Sequence, residues 1–304
     1  MLKANSTWKG VIQHWQLYVI LLLPVTYLVI FAYVPMFGVQ LAFKDFLATK
    51  GIWRSPWVGM KEFRRFFRSP SSLQVIWNTA SIGIYSVAAG FPMPILLAIA
   101  LNETRNKRVA NTVQLVTYTP YFISTVVMVS MILQVLDTRV GIVALIANAF
   151  GFKAVSLIGI PKYFSTIYVW SGVWQYTGYS AIIYVASLAG VNPELQEASV
   201  IDGATRLQKI WHVDLPHIKP TIILILLFSM ANVMNVGFEK VFLMQNPLNT
   251  SASEVINTYI YKVGLISADY SFSTAVGLFN SVINTLLLVT VNFVARKLAE
   301  TSLW

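Results

Sequence analysis

Six stretches of this 304-residue chain each run for roughly twenty residues or more with scarcely a charge. They cover about 17–39, 75–101, 113–136, 163–189, 218–237 and 272–294. An apolar helix of that length crosses the roughly 30 Å of hydrocarbon in a bilayer, where every backbone N–H and C=O must be satisfied within the segment. A membrane barrel would instead show short alternating strands. The expectation is an all-α, polytopic membrane protein with about six transmembrane helices. Charged residues make up only 11% of the chain, against about a quarter in a soluble domain.

The first apolar run, from Leu17, carries no small-residue cleavage site and continues through Val39, so it reads as a span and not a cleavable signal. The formal net charge of +10 fits basic loops at an anionic membrane surface, and nucleic acid is not an expected partner. Six spans put both termini on one side. The Lys and Arg count is indecisive until the 40–74 connection is discounted as a folded interfacial segment. The tight loops then favour cytoplasmic termini. In that connection Phe63, Phe66 and Phe67 share a helical face among Arg64, Arg65 and Arg68, as in a helix lying at an interface. The simplest division is 1–74, an N-terminal span with a basic aromatic outer segment; 75–296, the core transmembrane domain, with a polar loop at 193–220; and 297–304, a cytoplasmic tail.

Several chemistries are excluded. There is no cysteine, hence no disulfide, thiolate metal site or cysteine nucleophile. No G-x-x-x-x-G-K-[ST] loop occurs, so the chain binds no ATP by that route. No H-E-x-x-H or G-x-S-x-G is present, and His212 and His217 are wrongly spaced for one helical face, so neither a metal nor a catalytic site is expected. Ion-coupled transporters need ionisable groups inside their spans, and these spans hold almost none.

The spans carry neutral polar and aromatic side chains instead. In the fifth span Asn232, Asn235 and Glu239 lie within about 60° of one another on a 3.6-residue helix. Ser273, Gly277, Asn280 and Asn284 share a face of the sixth, Gln175 and Tyr179 of the fourth, Asn78, Ser81 and Tyr85 of the second. Amides and aromatic rings suit a polyol, because amides bond hydroxyls and rings stack on C–H faces. Such residues also serve as hydrogen-bonding glue between helices. The candidate pathway is Asn232, Asn235, Glu239, Gln175, Tyr179, Asn280 and Asn284.

Between the fourth and fifth spans lies PELQEASVIDGATRLQKIWHVDLPHIKP, residues 193–220. Pro193 opens a helix through Ile201, Asp202-Gly203 is a turn with glycine free to take positive φ, and 204–213 form a second helix that Leu215-Pro216 ends. Ala198, Ile201, Leu207, Ile210 and Trp211 are its buriable side chains. The pattern Glu197-Ala198-Ser199, then Asp202-Gly203-Ala204, then Leu215-Pro216, resembles the EAA loop of permeases of type I ABC importers, with Ser199 for the usual second alanine. HWQLY, SPWVG, LNETRNKR, NVGFEKVF and TAVGLFNSVINTLLLV with SLW resemble the complex-carbohydrate, aldouronate-type subgroup over nearly the whole chain.

The resemblance implies a bacterial plasma-membrane permease subunit, itself not an enzyme, of an ATP-driven oligosaccharide importer. It implies a second permease, two ATPase subunits that bind ATP and Mg, and an extracellular solute-binding protein. This chain would carry no cofactor. It further implies that the loop docks on the ATPase through Glu197, Ala198, Ser199, Asp202, Gly203, Ala204, Leu215 and Pro216. The competing readings are an ion-coupled secondary transporter and a membrane scaffold.

Overall fold

The computed structural model describes residues 13–299. Among them the chain is helical throughout, with no strand and one isolated antiparallel bridge, Lys44 to Trp57. The end of the tail, residues 300–304, lies outside the described residues, as does the basic lead-in before Gln13.

Four helices among the described residues are long and apolar enough to span a bilayer: α1 (Trp15–Phe43), α4 (Ser72–Asn102), α10 (Arg206–Ala231) and α14 (Tyr270–Ala299). The expected third span is not a straight crossing. It is a pair, α5 (Lys107–Phe122) and α6 (Thr125–Val135), bent by 102°. Pro120 tightens the end of α5 into a 3-10 turn, and the Ser124 hydroxyl caps α6 by accepting from Val127 N–H at 3.4 Å. The carbonyl of Ile123, freed by the break, accepts from Gln175 Nε2 at 3.0 Å. A broken helix at membrane depth survives where protein repairs its backbone in this way.

The expected fourth span is α8 (Pro161–Leu188), 28 residues long but too polar to pass the same hydropathy test. It is two-sided: Phe164, Val169, Gln175, Ala181, Tyr184 and Leu188 are buried, while Trp170, Trp174, Tyr176, Tyr179 and Ile183 are exposed. Gly178 fixes its closest approach, since a Cβ there would lie 2.0 Å from the Thr117 carbonyl oxygen of α5.

The chain sorts into two compact units. The first holds residues up to Arg68 together with 262–278. In it are α1, the short helices α2 (Gly51–Arg54) and α3 (Lys61–Arg68), and the first turns of α14. The phenylalanine face of helix α3 is divided between packing and exposure. Phe66 is buried, with its ring 6.3 Å from Phe272, while Phe67 is exposed. Arg65 pairs with Asp269 at 2.6 Å and with Glu62 at 3.2 Å, and Lys61 with Asp45 at 3.0 Å.

The second unit holds the rest. Helix α7 (Ile142–Ala149) stands in the loop after α6; α9 (Pro193–Ile201) precedes α10, and α11 (Phe238–Met244), α12 (Thr250–Ser253) and α13 (Ile256–Tyr261) follow it. Two apolar clusters build this unit. Ile82, Val129, Phe164, Val241 and Met244 form one. Ala98, Ala181, Tyr184, Leu188 and Ile218 form the other.

Candidate functional site

The polar loop folds much as its residues dictate, with one correction. Asn192 caps α9 by accepting from Glu194 N–H at 3.0 Å, with Pro193 in the first turn. Gly203 makes the bend at φ +77°. Thr205 and Gln208 form a reciprocal capping box that starts α10. Leu215-Pro216 does not end the second helix. The helix widens into a π turn over Ile210–Asp214 and then runs on as α10 to Ala231. The extra residue in that turn accommodates Pro216, which has no N–H and would crowd the preceding carbonyl in a regular α-helix.

The apolar side chains of this knuckle are not packed within the chain. Leu195, Val200, Ile201, Leu207 and Trp211 are all exposed, Ile201 by 85%. Glu197, Ala198, Asp202 and Gly203 are exposed too, with Ser199 and Ala204 half-buried. Leu215 is half-buried and Pro216 exposed at the start of the long helix. At the root of the knuckle, Lys209 meets Glu103 of the loop before α5 at 2.5 Å. Asp214 is fully buried beside them, and neither of its oxygens accepts a hydrogen bond among the described residues.

Within the second unit a cavity of about 490 Å³ lies along one side of α8. Tyr168, Gly172, Tyr176 and Ser180 line it from α8, Thr125 from α6, and Glu239 and Lys240 from α11. A second cavity of about 250 Å³ shares Ser86, Gly90, Pro94 and Ser180 with it and continues to Tyr184 and Ser229. Tyr168, Gly172, Tyr176, Ser180 and Tyr184 recur every four residues. They make a stripe roughly 24 Å long at 1.5 Å per residue, close to the thickness of the hydrocarbon core.

The expected pathway residues scatter around this stripe. Gln175 and Tyr179 each stand one residue before a stripe position. Gln175 is buried against the α5–α6 break, and Tyr179 stacks on Tyr121 with centroids 3.7 Å apart. Asn232, Asn235 and Glu239 do not share a helical face, because α10 ends at Ala231 and a turn separates it from α11. Asn232 donates to the Phe228 carbonyl at 3.0 Å, as a helix end does. Asn235 accepts from Asn257 Nδ2 at 3.2 Å. Glu239 alone of the three lines the cavity. The side-chain oxygens of Asn280 and Asn284 on α14 are buried and accept no hydrogen bond among the described residues. Asn78 is glue: its Nδ2 donates to the carbonyls of Ser251 and Glu254, both at 3.0 Å.

Sequence reasoning missed the stripe and the burial of Lys240. The stripe's four-residue period was present in the sequence, one register away from the face chosen. For Lys240 the sequence showed a cation that would not repel an acidic sugar, but not its burial, because a lysine just past a predicted span reads as a loop residue. It is in fact only 8% exposed. Its Nζ donates to the Tyr168 carbonyl at 3.1 Å and lies 5.0 Å from the centroid of that ring. Burial pulls its pKa down to about 8.

A helical bundle with one bent span, cavities along α8 lined by tyrosines, serines and the Glu239–Lys240 pair, and an exposed knuckle between α8 and α10 fits a multi-pass membrane permease. The match to known proteins is specific. Residues 90–300 fit the family described as binding-protein-dependent transport system inner membrane component, and the chain belongs to it. It is thus a transport permease and not an enzyme. It is 36% identical over 293 residues to the polygalacturonan/rhamnogalacturonan transport system permease protein YteP of Bacillus subtilis, covering 96% of this chain and 91% of that one. Protein LplB of the same organism is 35% identical over 288 residues, covering 95% and 91%. A chain of a bacterial ABC transporter involved in the import of the acidic polysaccharide alginate superposes with a TM-score of 0.90 at 35% identity, covering 97% of this chain and 99% of that one. The same transporter is also solved in complex with a periplasmic protein bound to an alginate pentasaccharide.

Proposed function

We propose that this chain forms half of the translocation pathway of an ATP-driven oligosaccharide importer in a bacterial plasma membrane, its termini in the cytoplasm. A second permease supplies the other half. Two ATPase subunits bind the ATP and Mg, and a solute-binding protein delivers the sugar from outside. The observation that carries this reading is the knuckle at 193–214: exposed, apolar at Ile201, Leu207 and Trp211, bent at Gly203, and continuous with a 26-residue helix. Exposed apolar patches rimmed by polar residues mark protein interfaces. A helix that runs on from such an interface transmits a push without a joint. The transport of polymeric sugars named for YteP and for the alginate system supports the substrate class.

The mechanism is alternating access. ATP binding draws the two ATPase subunits together and the docked knuckles with them. Glu197, Ala198, Ser199, Asp202, Gly203 and Ala204 form the docking surface, and Leu215-Pro216 begins the helix that carries the motion. The passage along Tyr168, Tyr176, Ser180 and Tyr184, with Glu239, turns toward the binding protein and receives the oligosaccharide between rings and hydroxyls. Hydrolysis resets it. Gln175, Tyr179, Asn232 and Asn235 act as packing around this path, and Asn280 and Asn284 face groups the described residues do not supply.

The test is Gly203→Pro in the intact complex. The φ of +77° is closed to proline, so the bend is lost. ATPase subunits should no longer co-purify with the permease pair, or should hydrolyse ATP without sugar uptake. Normal co-purification together with normal binding-protein-stimulated ATPase and uptake would remove the proposal.

A further inference from the structure

We propose that Lys240 is the residue that selects acidic sugars in this passage: its ammonium receives the carboxylate of a uronate unit as the chain moves along α8. This rests on the reading of the cavity as a saccharide path and specifies the charge of what passes.

Lys240 is nine-tenths buried, and no carboxylate of the described residues lies within ion-pairing distance of it. A buried charge without a counter-charge is costly, and its natural relief is a mobile anion. One of its three ammonium protons is used by the Tyr168 carbonyl, which leaves two for a ligand. The Tyr168 ring, 5.0 Å away, holds the cation from one side without neutralising it.

The approach to the ammonium is kept open by Gly172, where a Cβ would stand 3.5 Å from Nζ. A side chain at 172 would take up space beside the ammonium. Glu239, exposed on the same wall, is an acceptor for sugar hydroxyls and rejects a carboxylate placed on its own side. A uronate carries both groups, so the wall orients it: carboxylate to Lys240, hydroxyls to Glu239.

The experiment uses liposomes holding both permeases and the ATPases, with the solute-binding protein in excess. Uptake is measured for a panel of uronate tetrasaccharides and for the same tetrasaccharides with their carboxylates methyl-esterified. The quantity read is the ratio of acidic to esterified uptake. The ratio should fall roughly tenfold or more in Lys240→Gln, and in the same direction in Gly172→Ala, which covers the ammonium; Lys240→Arg should keep it above one. A ratio unchanged in Lys240→Gln overturns the inference and leaves the saccharide path standing. Loss of assembly in both Lys240→Gln and Lys240→Arg assigns the residue to structure and overturns it too. A wild-type complex that imports neither form of any probe removes the path reading along with this one.

Discussion

Asn249 shows what most of the polar side chains in this protein do. It is fully buried beneath the loop after α11. Its Nδ2 donates to the carbonyls of Ile158 at 2.9 Å and Met244 at 3.1 Å, and its Oδ1 accepts from Asn246 N–H at 3.0 Å and Ser253 Oγ at 2.9 Å. Asn249→Ala leaves two carbonyls and two donors to find new partners, at a cost of about 2–3 kcal/mol. Thermal unfolding of the purified complex should begin at lower temperature, and an unshifted curve would show that water fills the gap. Gly178→Ala is the steric counterpart. Its methyl would overlap the Thr117 carbonyl, a backbone atom that moves only with α5. At this scale the sequence tells that an amide in a span matters but not which duty it has. Asn78 and Gln175 look like path residues on a helical wheel, and each is spent on a backbone carbonyl of a distant segment.

Among the elements, two departures from expectation fall at breaks that a helical wheel cannot represent. A wheel assumes continuity, so the face drawn through Asn232, Asn235 and Glu239 dissolved once α10 stopped at Ala231. Pro120 and the Ser124 cap were readable signals for the α5–α6 bend, outweighed by the apolar length around them. The opposite error fell at Leu215-Pro216, where a proline that usually ends a helix is absorbed by a π turn. That continuity has a consequence. If α10 is the lever that carries the knuckle's motion, softening it between the two should uncouple the machine. His212→Gly with Val213→Gly places two poor helix formers in the π turn, at about 1 kcal/mol each. The ATPase subunits should still co-purify and hydrolyse ATP, while sugar moved per ATP falls. An unchanged stoichiometry would mean the force travels by another route, such as the Lys209–Glu103 contact at the knuckle's root.

For the whole molecule the decisive question is how many times the chain crosses the membrane. Among the described residues four helices qualify by length and apolarity, a fifth crossing requires the bent pair to count as one, and α8 fails the hydropathy test. Yet α8 has 28 residues, about 42 Å of helix, and its one charged residue is Lys162 in the first turn. The crossing number sets sidedness: with α8 spanning, the loop at Val140 and the knuckle at Leu207 lie on opposite sides of the membrane. Without it they lie on the same side. Both residues are strongly exposed, and the chain contains no cysteine, so single replacements report without background. Val140→Cys should react with a membrane-impermeant maleimide on intact cells, and Leu207→Cys only after the membrane is opened. Reaction of both from outside would mean α8 does not cross and would take the knuckle away from any cytoplasmic ATPase. Reaction of Leu207→Cys alone would invert the topology. The Lys and Arg count could not choose among these outcomes, because the basic residues between positions 40 and 74 weigh against the tight loops. A folded segment such as α3, with Arg65 tied to Glu62 and Asp269, is a poor witness to charge-driven orientation.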